Sequence, residues 1–216
     1  MAEFIDEIAS HLDGTSAAIM TEALTALLHV TESDPSIVLD KNILLKVERC
    51  LSSHIVPIME AAAVLLTNNI ASNTDLVLEL NSAAIFERTI SIIRENTSLI
   101  NTFMMLLSNV TISEASCEKI FSSESFQSNY VSLIDNFINY NPQAVETDGM
   151  TEFSQIDKYQ YLGSFICNMT RIVGFRRILL RLDGNYVPGL LTQVRAVIIH
   201  TPFLLCFIRF CYILNL

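Results

Sequence analysis

Four short stretches decide how this chain folds: ALLHVTES (26–33), LLTNNIAS (65–72), LLSNVTIS (106–113) and FICNMTRI (165–172). Each runs from an apolar start into a polar slot, occupied in turn by His29, Asn69, Asn109 and Asn168. The first two steps between slots are 40 residues each and the third is 59. Residues 141–157 (NPQAVETDGMTEFSQID) have no apolar period, and treating these 17 residues as an inserted loop restores a spacing of 42. Equal spacing carries more weight than the short matches themselves, because self-similarity at a fixed period is what a stacked-repeat architecture writes into a sequence.

A period near 40 is the length of an armadillo or HEAT unit. The intervening segments read as helices. In 81–95, Ala84, Ile85, Thr89, Ile92 and Ile93 form one apolar stripe, and in 125–140 Phe126, Tyr130, Leu133, Ile134 and Phe137 form another. Pro57 suits the first turn of a helix running to about Ile70, where its missing N–H removes no bond. Each unit is then a short first helix, a longer second helix and a third helix ending at the polar slot. Third helices are expected near 16–30, 55–70, 99–110 and 158–171, and short first helices near 72–79, 115–122 and 174–182. The expectation is an all-α, armadillo/HEAT-like repeat domain over 1–195, about four and a half units long, followed by an atypical apolar tail over 196–216.

Composition agrees with that class. Hydrophobic residues make up 51% of the 216 and charged residues 17%, enough apolar surface to bury a core and too little charge for a disordered chain. Six Gly and five Pro are too few for a fold with many tight β-turns. The net charge of −10 excludes a general nucleic-acid binder, which needs a basic face to displace counterions. The charge is uneven: residues 1–157 hold six basic and 22 acidic side chains, whereas 158–216 hold seven basic and one acidic. Five cysteines form no CxxC pair, and the acidic, amphipathic N-terminus is no signal peptide. Reduced, buried thiols and a cytoplasmic location are expected, so the sequons at Asn96, Asn109 and Asn168 are not expected to carry glycans.

The stretch YLGSFICNMTRIVGFRRILLRLDGNYVPGLLTQVR (161–195) resembles the armadillo-type HGH-one homolog family, also called the brain-protein-sixteen family. The likeness rests on Asn168, Thr170, Arg176, Arg177, Leu179, Leu180 and Gln193, and the N-terminal repeats are compatible with it. It implies a cytosolic adaptor that helps nascent translation elongation factor 2 reach the chaperonin TRiC and prefoldin. It also implies further helices after Arg195, where this chain instead reads AVIIHTPFLLCFIRFCYILNL and stops, as a truncated or alternative product would.

Two surfaces are candidates for partner binding. Asn69, Asn109 and Asn168, with His29 in the same slot, would line the groove of a solenoid and hydrogen-bond an extended partner backbone; alternatively each amide caps its own helix end or the following turn. Importin-type grooves set a Trp beside each Asn, and this chain has none. Arg171, Arg176, Arg177 and Arg181 would grip carboxylates, or else form a solvated face or pair with the acidic 146–157 segment. Catalysis has no support: the four His are scattered, and no metal-protease, phosphate-loop or nucleophile-elbow motif occurs. No metal or cofactor is implied, and Met104, Met105 and the Phe residues read as core. The alternative to a soluble scaffold is a tail anchor at 196–216, long enough to span a bilayer but interrupted by Pro202 and Arg209.

Overall fold

A central third helix takes its cover from the third helices before and after it and from the helix that precedes it in the chain. The computed structural model describes residues 2–14, 16–34, 37–95, 98–139, 160–181 and 188–190. Its α-helices are α1 (Ala2–Ser10), α2 (Ala17–Ser33), α3 (Lys41–Cys50), α4 (Val56–Ser72), α5 (Ser82–Glu95), α6 (Ile100–Val110), α7 (Glu114–Phe121), α8 (Glu124–Ile138), α9 (Gln160–Met169) and α10 (Val173–Arg181). Short 3-10 segments follow α1 (His11–Asp13) and α4 (Thr74–Glu79). The described residues are all-helical, with no strand among them. The expected insertion at 141–157 and the tail at 196–216 lie outside the described residues.

Local chemistry sets the helix starts. Asp40 accepts from the N–H groups of Asn42 and Ile43 to open α3, Ser113 accepts from Ser116 to open α7, and Ser123 accepts from Phe126 to open α8. Asn81 does the same for α5 through the Ala84 N–H, and Pro57 sits in the first turn of α4 as its lost donor allows. The helices expected from the period all form, the last of the short ones as α10.

Packing follows the order of the chain. Helices α2, α4, α6 and α9 lie side by side in succession, and α3 and α5 back onto α4 and α6. Helix α5 also meets α8, and α7 fills the space between α5, α8 and α9. Gly189 lies over α8, where an added Cβ would come within 2.9 Å of Ile138, and Leu190 beside it is buried. One continuous apolar core results. Its centre is aromatic: the ring of Phe126 lies 5.5 Å from Phe86, 5.7 Å from Phe121 and Phe175, and 5.8 Å from Tyr130, while Phe86 stacks on Phe165 at 5.8 Å. Five helices, α5, α7, α8, α9 and α10, therefore share one cluster.

Three expectations about the core need correcting. Ala84 is exposed, because α5 turns Ile85 and Thr89 inward and Ala84 falls to the outside of that stripe. Met104 is fully buried but its neighbour Met105 is half-exposed, 100° further round α6. Phe4 is exposed on α1. Among the described residues, no helix is long and apolar enough to cross a membrane.

Truncating Phe126 to Ala removes the ring at which α5, α7, α8 and α10 meet, so it is expected to cost about 3–5 kcal/mol. Thermal melting of the variant should fall by roughly 10 °C or more. A shift of only a degree or two would show that the cluster is not the centre of the core.

Candidate functional site

A third helix covered on both flanks and on its back keeps one face uncovered. On α4 the described residues not fully buried, beyond Val56 at its start, fall on Pro57, Glu60, Ala61, Val64, Asn68 and Ala71. These steps of three and four residues trace a single stripe along a helix. On α2, which has a third-helix neighbour on one side only and is exposed more widely, the positions in register with these are Ala18, Thr21, Glu22, Thr25, His29 and Glu32, and on α6 the stripe is Ser98, just before the helix, then Asn101, Thr102, Met105 and Asn109, with Ile112 just after it. On α9 and the turn after it, Tyr161, Asn168 and Arg171 continue the pattern, with Ser164 buried between them. The stripes superimpose with offsets of 39, 41 and 59 residues rather than 40, 40 and 59.

That shift of one residue relocates the ladder. The uncovered polar slot is held by His29, Asn68, Asn109 and Asn168, not by Asn69. Asn69 is 4% exposed. Its Nδ2 donates to the Leu65 carbonyl at 2.9 Å, and its Oδ1 accepts the Leu39 N–H at 3.2 Å, pinning the segment that leads into α3. A single residue turns a side chain by 100° on a helix, which moves it from the free face to the packed flank. The Asn68–Asn69 pair gave an exact 40-residue match to the wrong amide, and the signal that finds the right one is the stripe spacing of Glu60, Val64, Asn68 and Ala71.

The other two amides sit at the seams between third helices. Asn109 Nδ2 on α6 donates to the Thr67 carbonyl of α4 at 3.4 Å. Asn168 Nδ2 on α9 donates to the Ser108 carbonyl at 3.1 Å and to Thr111 Oγ1 at 3.2 Å. Neither caps its own helix; each reaches back to the end of the preceding third helix. The sequon threonines are equally occupied. Thr111 Oγ1 donates to the carbonyls of Leu107 and Ser108, Thr170 Oγ1 to that of Cys167, and both residues are buried.

The basic cluster divides. Arg171 donates to the carbonyls of Ile112 at 2.6 Å and Thr111 at 3.0 Å, at the end of α6, and to Asn168 Oδ1 at 3.2 Å. Arg176 donates to the carbonyls of Thr170 at 2.8 Å and Arg171 at 3.1 Å, at the end of α9. These two guanidinium groups donate to the carbonyls at helix ends. Arg177 is exposed, between the exposed side chains of Val173 and Leu180. The side chain of Arg181 lies outside the described residues.

Beneath the seam, Cys117 of α7 is fully buried, its Sγ 3.2 Å from the Thr111 carbonyl and 3.7 Å from that of Asn168. Burial pushes this thiol up to about 11, against the pull of the nearby Arg171. Cys50 is also buried and raised, whereas Cys167 is half-buried. Among the described residues, no three His, Cys, Asp or Glu side chains gather as a metal set. A cleft of about 520 Å³ lies between α5 and α8, lined by residues including Glu87, Arg94, Glu124 and Asn129, apart from the third-helix stripe.

Comparison with known proteins adds no label to this geometry: no family model, no curated protein and no solved structure matches the chain.

Two outcomes follow from the seam. Asn69→Ala leaves the buried Leu39 N–H without its acceptor and is expected to cost about 1–3 kcal/mol, against less than about 1 kcal/mol for Asn109→Ala, whose bond is long. Denaturant titration of both variants checks the order. Cys117 should resist iodoacetamide at pH 8 in the folded protein, because the reactive thiolate is scarce and enclosed. Peptide mapping that finds Cys117 alkylated as fast as in the unfolded chain would contradict the packing of α7 against α9.

Proposed function

We propose that the chain is a non-enzymatic interaction scaffold of armadillo type, about four and a half units long, whose third-helix face carries an extended segment of another protein. The observation that supports it best is the uncovered stripe. Four consecutive third helices present His29, Asn68, Asn109 and Asn168 at one level, with Thr25, Val64 and Met105 a turn before and Glu32, Ala71, Ile112 and Arg171 a turn after. Regular rows of half-exposed polar and apolar side chains are what a repeat array offers an extended ligand.

The repeat reading draws support from the bonds between units. Lys46 reaches the Ala9 carbonyl, Arg88 the Leu51 and Ser53 carbonyls, Lys119 the Leu78 carbonyl and Arg171 the Thr111 and Ile112 carbonyls. Each joins a residue to the end of the equivalent helix about one unit earlier. The partner's name rests on the resemblance over 161–195 alone. It makes elongation factor 2, delivered with TRiC and prefoldin, the first candidate to examine, in the cytoplasm.

A photo-crosslinking amino acid placed at Met105 tests the surface, with one at Glu87 on α5 as the outer-face control. Adducts from cytosol are expected at Met105 and not at Glu87, and elongation factor 2 should appear among them. Equal labelling at both positions would remove the stripe as the binding face.

A further inference from the structure

The uncovered stripe is not uniform along the stack. At the α2 end it carries two exposed carboxylates, Glu22 and Glu32, and Glu60 follows on α4. In the middle it is uncharged: Ala61, Val64 and Ala71 on α4, then Thr102 and Met105 on α6 and Ile112 just after it, with Ile112 44% exposed. At the α9 end stands Arg171. Its hydrogen bonds run to neutral carbonyls and an amide, so they orient the guanidinium without cancelling its charge. One row therefore reads Glu32, Ala71, Ile112, Arg171 across four successive helices.

Resting on the reading of this face as a binding surface, we infer that its partner is a protein segment with basic side chains at one end, apolar side chains in the middle and acidic side chains at the other, lying with the basic end over α2. Complementary charge fixes register and rejects wrong partners more than it adds affinity. The spacing is also set. Packed helices lie about 8–10 Å apart, so three steps from α2 to α9 cover about 25–30 Å. An extended chain rises about 3.3 Å per residue, which puts the basic and acidic ends about eight or nine residues apart. The apolar centre has Val64, Met105 and Ile112 to cover.

Fluorescence anisotropy with labelled peptides tests this. The probes are KKSGLSVLSGEE and EESGLSVLSGKK, which offer the same charge order in the two chain directions, with EESGLSVLSGEE and SSSGLSVLSGSS as comparisons. One two-sign peptide should bind about five- to tenfold tighter than either comparison, and the advantage should shrink with added salt. The double variant Glu22→Lys, Glu32→Lys changes exposed side chains only. Circular dichroism should confirm its fold, and it should lose that preference and favour EESGLSVLSGEE. If SSSGLSVLSGSS binds as tightly and Met105→Glu weakens it, the charge order is wrong but the face stands. If peptides bind and Met105→Glu changes none of them, the face itself is wrong. Failure of all four peptides to bind at about 1 mM overturns the inference.

Discussion

A stack of short helices has a problem that one long helix does not: every end leaves up to four carbonyls without partners. The described helices are eight to 17 residues long, so ends are frequent and many lie against a neighbour. This chain meets the need with cations from the next unit. Arg88 covers the end of α3, Arg171 the end of α6 and Lys119 the end of the Thr74–Glu79 segment, where positive charge also suits the helix dipole. The joints between units and the satisfaction of helix ends are one set of bonds.

That arrangement accounts for the charge distribution. Residues 1–139 contain only six basic side chains. Lys41 pairs with Glu79, Lys46 and Arg49 with Asp13, Arg88 holds carbonyls, Arg94 holds Asn129 at 2.7 Å and Lys119 holds Leu78. The Lys46 hydrogen bond keeps Asp13 below the ordinary carboxylate range. With its cations committed internally, the surface of this part is left acidic by default. Glu48 shows the reverse pressure: burial raises its carboxyl, and the Asn81 N–H donating at 2.8 Å partly offsets this. An acidic exterior here is first a by-product of how the units are joined, and under the proposed function only the subset on the third-helix stripe bears on recognition.

The all-helical class and the helix positions were legible because they are written twice in the sequence, as apolar periodicity and as the spacing of the polar slots. Helices α2, α4, α6 and α9 and the short helices after them fall where the period put them. The site was less legible, for two reasons. A match between segments is tolerant by one residue, whereas a helix face is not, so Asn69 took the place of Asn68. The sequence also shows which residues are basic but not which carbonyls lie opposite, so the bonds of Arg171 and Arg176 to the ends of α6 and α9 could not be read from it. Met105 escaped as well, because a Met in an apolar run reads as core unless the neighbouring helices are known.

The same geometry limits what a binding experiment can use. Asn168 lies on the uncovered stripe yet donates to Ser108 and Thr111, and Arg171 lies there yet holds the end of α6. Under the proposed function, replacing either would remove a partner contact and an internal bond together, so weaker binding would have two causes. Glu22 and Glu32 lie on the stripe and are exposed, while Met105 is half-exposed with no polar atom to leave unpaired. Position on the face and freedom from the joints coincide at these side chains, so the proposed recognition is best tested through them.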